Sequence, residues 1–178
     1  VKGNNNIYIN NNSKGGVNVK GLVNGQKDVN ITSENGNVVI GDNTENDNYI
    51  TAGDNININV NNGSILNEGS ATKVKTLLKA NKNLNMYVTD GTIGTEVQQD
   101  GAISGSTGIG PKNQGSRDFS KSINANIGGN VTAKTTKNAT TANNLVINYA
   151  AIDSDMNIDS IKADGRVILT VDDSSHAN

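Results

Sequence analysis

The sequence predicts an all-β chain, a right-handed parallel β-helix (β-solenoid) running as a single segment over residues 1–178, and three observations point to it. Apolar and polar residues alternate with a period of two, as in Ile56, Ile58 and Val60 against Asn57 and Asn59, a strand pattern that helical spacing does not match over a useful length. Whole two-strand modules recur, which stacked coils explain and an antiparallel sandwich does not. The composition suits a thin core: 33% of the 178 residues are hydrophobic, yet there is no Trp, one Phe and little Leu. With 18% charged residues, the chain is not charged enough for a solvated, disordered tail.

The modules can be followed in order. Asp28–Val38 (DVNITSENGNV), Asn55–Ile65 (NININVNNGSI) and Asn83–Ile93 (NLNMYVTDGTI) align without a gap. Each reads apolar, polar, apolar, four further and mostly polar residues, then Gly, one residue and an apolar. Looser copies bracket them: Ile7 and Ile9 lead to Gly16 and Val17, Ile123 and Ile127 to Gly129 and Val131, and Met156, Ile158 and Ile161 to Gly165 and Val167. The starts at Ile7, Val29, Ile56, Leu84, Ile123 and Met156 stand 22, 27, 28, 39 and 33 residues apart. Asn-Gly, Gly-Asp, Asp-Gly and Gly-Gly pairs between strands supply the positive φ angles of sharp corners. Lys73–Ala80 (KVKTLLKA) is the one stretch that could form a helical turn, and it too is read as a strand.

In such coils Ile56, Ile58, Ile65, Leu84, Met86 and Ile93 point inward while Asn57 and Asn59 point outward. About 6 to 7 coils at roughly 4.8 Å each give a rod about 30 Å long. The 33 Asn residues fit this geometry, because an amide both donates and accepts and can bond from coil to coil. An AT-rich genome is a second source of the excess. One segment breaks the rhythm. Residues 94–122, rich in Gly and Ser and carrying the single Pro and the single Phe, form an excursion with a strand near Ala102–Ser104, read as a spacer or as a place for binding.

Chemistry is sparse. A net charge of -2 offers no footprint for nucleic acid or an anionic membrane, and no run of about 18 apolar residues is present to span a bilayer. The opening residues lack the apolar stretch of a signal peptide, so the chain is either cytosolic or a piece of something larger. Without Cys there is neither disulfide nor thiolate nucleophile, and no phosphate-cradling or dinucleotide motif occurs. Asp153 and Asp155 would share a face on a strand, with Arg166 in the next strand, a geometry open to polysaccharide cleavage; with 17 acidic residues such pairs arise by chance, and a surface charge patch is the better reading. His176, the single imidazole, lies in a terminal tail. Asp42, Asn43, Glu45, Asp47 and Asn48 offer oxygen ligands for calcium, but their spacing matches no calcium loop and a polar turn is favoured. Sequons at Asn30, Asn62, Asn130 and Asn138 are expected by chance at this Asn content. No catalytic, metal or cofactor site is assigned.

The units DNININVNNGSI, NLNMYVTDGTIGT and DSIKADGRVILTV resemble the repeats of filamentous haemagglutinin-like adhesins of Gram-negative bacteria. The block DGTIGTE, followed by GIGPKNQGSRDFSKSINANIGGNVTAKTT, is similar to the leukotoxin-type filamentous members. The resemblance implies an internal piece of a protein exported by a separate N-terminal secretion domain, its rod folding at the cell surface. Two functions follow as expectations. One is a non-catalytic adhesin rod binding a host or bacterial receptor. The other is a carbohydrate-active β-helix, which would need exposed aromatics; Tyr8, Tyr49, Tyr87, Tyr149 and Phe119 are the candidates, and they are scattered.

Overall fold

The computed structural model describes residues 1–42, 48–68, 76–95, 121–137 and 145–172, and among these every regular element is a strand. The first coil is β1 (Lys2–Gly3), β2 (Ile7–Asn11) and β3 (Val17–Val19). The second is β4 (Val23–Gly25), β5 (Val29–Ser33) and β6 (Val38–Ile40), and the third is β7 (Ile50–Ala52), β8 (Ile56–Val60) and β9 (Ile65–Asn67). Then come β10 (Leu78–Ala80), β11 (Leu84–Thr89), β12 (Ile123–Ile127), β13 (Val131–Thr136), β14 (Val146–Ile152), β15 (Ile158–Lys162) and β16 (Arg166–Asp172).

Every pairing is parallel, and strands of successive coils stack in order into three sheets. Face A runs β1-β4-β7-β10-β12-β14-β16, face B runs β2-β5-β8-β11-β13-β15, and face C runs β3-β6-β9. Face C continues through single bridges from Ile65 to Ile93 and from Ile93 to Ile147. The architecture is therefore all-β, parallel and solenoid-like, and seven strands on face A give roughly 30 Å of stack at about 4.8 Å per step.

The interior consists of aliphatic rows. On face B one row is Ile7, Val29, Ile56, Leu84, Val131 and Ile158; the next is Ile9, Ile31, Ile58, Met86, Ala133 and Ile161. Ile56, Ile58, Ile65, Leu84, Met86 and Ile93 are completely buried, as their spacing predicts, and Asn57 and Asn59 lie half-buried on the outside. A strand-to-strand spacing near 4.8 Å leaves each flanked by the outward side chains of two neighbouring coils, Asn57 by Asn30 and Asn85 and Asn59 by Thr32 and Tyr87, which is why they are not fully exposed. In the last coil Ile158, Val167, Leu169 and Val171 are exposed.

Two start positions need correction. The face-B partner of Leu84 is Val131, not Ile123, and the partner of Val131 is Ile158, not Met156. Ile123 begins a face-A strand whose Ala125 is in register with Leu78. Lys73–Ala80 is a strand only over Leu78–Ala80; Thr76 and Leu77 precede it and residues 73–75 lie outside the described residues. So do residues 96–120, including the strand expected near Ala102–Ser104 and Phe119. The feet of that excursion meet: the Thr95 N–H donates to the Lys121 carbonyl at 2.7 Å, and Asn148 Nδ2 donates to the Thr95 carbonyl at 3.0 Å.

The B-to-C corner is a glycine column. Gly16, Gly36, Gly63 and Gly91 lie on one another, so a Cβ on Gly91 would stand 1.7 Å from the Gly63 carbonyl oxygen, and one on Gly63 would stand 2.6 Å from that of Gly36. Gly36 also takes a φ of +90°, which side chains resist. Gly21, exposed and with nothing within 4 Å of its would-be Cβ, is the contrast. Gly91→Ala should therefore destabilise the chain by at least about 3 kcal/mol, whereas Gly21→Ala should stay within about 0.5 kcal/mol, read from denaturant midpoints at unchanged slope. Equal effects would contradict the column.

Candidate binding surface

The outer surface is built by the same register that builds the core. On face B, Tyr8, Asn30, Asn57, Asn85 and Thr132 form one outward row, and Asn10, Thr32, Asn59, Tyr87, Lys134 and Lys162 form the next. Because residues of the same kind align, side chains bond from coil to coil. Asn57 Nδ2 donates to Asn30 Oδ1 at 2.9 Å and Asn85 Nδ2 donates to Asn57 Oδ1 at 2.8 Å.

A second ladder sits at the A-to-B corner, where Asn6, Asp28, Asn55, Asn83 and Asn130 each precede the first residue of a face-B strand. The backbone N–H of each donates to the side-chain oxygen of the one before. The distances are 3.3 Å for Asp28 to Asn6, 3.0 Å for Asn55 to Asp28, 3.1 Å for Asn83 to Asn55 and 2.9 Å for Asn130 to Asn83. Asn55 and Asn83 add amide donors to the same oxygens. Each side chain thus satisfies a corner N–H that the sheet leaves over. The B-to-C corner repeats the device with Asn37, Ser64 and Thr92.

Concavity is slight. An open trough of about 450 Å³ runs along face A, lined by Asn24, Gln26, Thr51, Gly53, Lys79 and Asn81. The Thr51 hydroxyl beside it is buried without a hydrogen-bond partner. Near its end Lys82 pairs with Asp54 at 2.8 Å; the hydrogen bond and charge of Asp54 hold the exposed ammonium above its ordinary range.

The acid pair does not lie on a strand. Asp153 takes a left-handed φ of +48° just past β14, and Asp155 lies between β14 and β15; both are exposed on that corner. Arg166 stands opposite Val146, seven residues from Asp153 and thus roughly 20 Å along an extended strand. The structure does not bring these three together. Of the calcium candidates, Asp42 accepts the Tyr49 hydroxyl, Asn48 donates its N–H to the Thr76 carbonyl, and residues 43–47 lie outside the described residues, as does His176. Among the described residues no three His, Cys, Asp or Glu side chains cluster.

Two of the candidate aromatics are not surface groups at all. Tyr49 and Tyr149 are buried in the core, Tyr49 with its hydroxyl on Asp42, and burial pushes the Tyr149 phenol well above its usual range. Tyr149 belongs to the same buried cluster as Ala125, Ala133 and Ala151. Tyr8 and Tyr87 are exposed on face B, three coils apart and in different rows. The corner ladder is what reading by hydropathy missed, although its signal, an Asn or Asp before each strand's first apolar residue, stands in the sequence.

Comparison with known proteins finds nothing: no protein-family model, no curated protein and no solved structure matches the chain.

Asn83→Ala would remove the donor to Asn55 and leave the Asn130 N–H unmatched, so it should cost about 1–3 kcal/mol. Exposed Asn81, two residues away, should tolerate the same change within about 0.5 kcal/mol. Thermal unfolding of the two variants measures the difference, and equal shifts would remove the ladder from the account.

Proposed function

We propose that residues 1–178 are a non-catalytic rod segment of a large bacterial surface adhesin, secreted and displayed at the outer membrane, that attaches to host cells or other bacteria through a protein or glycan receptor. The observation that carries this reading is the in-register stack itself. Repeating coils convert sequence length into a stiff spacer with regular polar faces, which suits a protein that must hold a contact away from a cell. The resemblance of the repeat units to filamentous haemagglutinin-like modules supports the same reading. So does the distance between Arg166 and the Asp153–Asp155 corner, since glycan cleavage needs its acids and their partner around one bond. The coils wind right-handed, the hand that parallel β-crossovers adopt. The segment itself takes no cofactor, does not insert into a membrane and does not bind nucleic acid.

The test pairs a binding array with a search for turnover. The fragment is probed against host glycans and matrix proteins, and in parallel incubated with pectin, hyaluronan and lipopolysaccharide O-chains. Binding without new reducing ends or unsaturated sugars is expected. Combined Asp153→Asn, Asp155→Asn and Arg166→Gln should leave binding and folding nearly unchanged, since Asp153 and Asp155 are exposed, Arg166 is half-buried on the outside, and surface charges contribute about 0–1 kcal/mol each. Turnover abolished by that triple change would replace the adhesin with an enzyme.

A further inference from the structure

The sequence holds three Asn-Gly pairs, Asn24-Gly25, Asn35-Gly36 and Asn62-Gly63, and the fold treats them differently. Asn-Gly is the pair in which a backbone nitrogen most readily attacks the preceding side-chain amide, because glycine puts no side chain in the way. The attack needs that backbone nitrogen free and the Asn able to swing. Gly25 lies inside β4, which is paired on both sides by β1 and β7, and Asn24 is held half-buried in the same strand. The Gly36 N–H is tied to the Asn62 carbonyl at 2.8 Å, and Asn35 is half-buried. The Gly63 N–H donates to nothing among the described residues, and Asn62 is exposed. The Asn62 amide itself is held by two long contacts, 3.2 Å to the Glu34 carbonyl and 3.3 Å to Asn35 Oδ1.

We propose that Asn62 is a site of self-modification, converting to aspartate and isoaspartate by attack of the Gly63 nitrogen. That nitrogen loses its proton and bonds to Asn62 Cγ, the Cγ–Nδ2 bond breaks, and the amide nitrogen leaves as ammonia with the proton. Water then opens the five-membered imide at either carbonyl, giving Asp or isoAsp. Both products act on the glycine column. A carboxylate replaces the donor that reached over Glu34, and isoAsp adds a backbone carbon where Gly63 packs on the Gly36 carbonyl. The modification therefore loosens the B-to-C corner of the third coil first, a lesion set by the fold and independent of what the rod binds.

Purified protein is held in mildly alkaline buffer and sampled over time by peptide mass mapping, with isoaspartate resolved chromatographically. Asn62 should convert first, with Asn24 and Asn35 at least about tenfold slower because their reaction waits on local opening. In denaturant the three rates should approach one another, which separates the effect of the fold from that of the dipeptide. Asn62→Gln should remove the early phase in the native protein. Native conversion at Asn24 or Asn35 as fast as at Asn62, or none at Asn62 when the denatured control reacts, would overturn the assignment.

Discussion

The contact between successive coils, about 4.8 Å from backbone to backbone, is the constraint on which everything else here depends. It holds only where no side chain intrudes. That is why the B-to-C corner is a column of Gly16, Gly36, Gly63 and Gly91, each packed on the backbone of a neighbouring coil. Once the corners close, parallel pairing fixes the register of all three faces, aligning aliphatic on aliphatic inside and, in the row of Asn30, Asn57 and Asn85, amide on amide outside.

Alignment explains how a chain with one Phe and no Trp can be stable. The core is narrow, so Val, Ile and Leu fill most of it, with Ala52, Ala80, Ala125, Ala133 and Ala151 and the buried Tyr49, Met86 and Tyr149 among them. The amides carry a further share. Asn55 and Asn83 each bind the corner before and the corner after, so the polar surface helps to hold the stack that displays it. An Asn-rich surface is thus partly structural, and the exposed residues free of this duty, such as Tyr8, Tyr87, Lys134 and Lys162, are the ones left for contact with a partner.

Much of the fold was legible in the sequence because periodicity and corner glycines are local signals. The strands over Val29–Ser33, Ile56–Val60 and Leu84–Thr89, and the burial of their apolar residues, follow from alternation, whereas the buried Ser33 does not. Ile123 imitates the start of a face-B strand because the corner before Val131 carries Gly129, one residue and an apolar, the spacing that elsewhere marks the B-to-C corner at Gly36, Gly63 and Gly91. The Asn130-Val131 pair, matching Asn83-Leu84, marks the true register and lies 47 residues on, the excursion having stretched the step. The Asp153–Asp155 corner could not be read, since a left-handed turn at Asp is not signalled by alternation. Nor could the burial of Tyr49 and Tyr149, since a tyrosine suits the surface and the core alike.

The in-register stack can be measured directly, because the chain has no cysteine and labels can be placed at will. Asn10, Tyr87, Lys134 and Lys162 are exposed in one face-B row, so spin labels on Asn10 paired with each of the other three report three, four and five coil steps. Stacking in register gives backbone separations of roughly 14, 19 and 24 Å by pulsed electron resonance, each about one strand spacing beyond the last. A jump at Lys134 out of proportion to one coil, or separations that do not rise in that order, would contradict it.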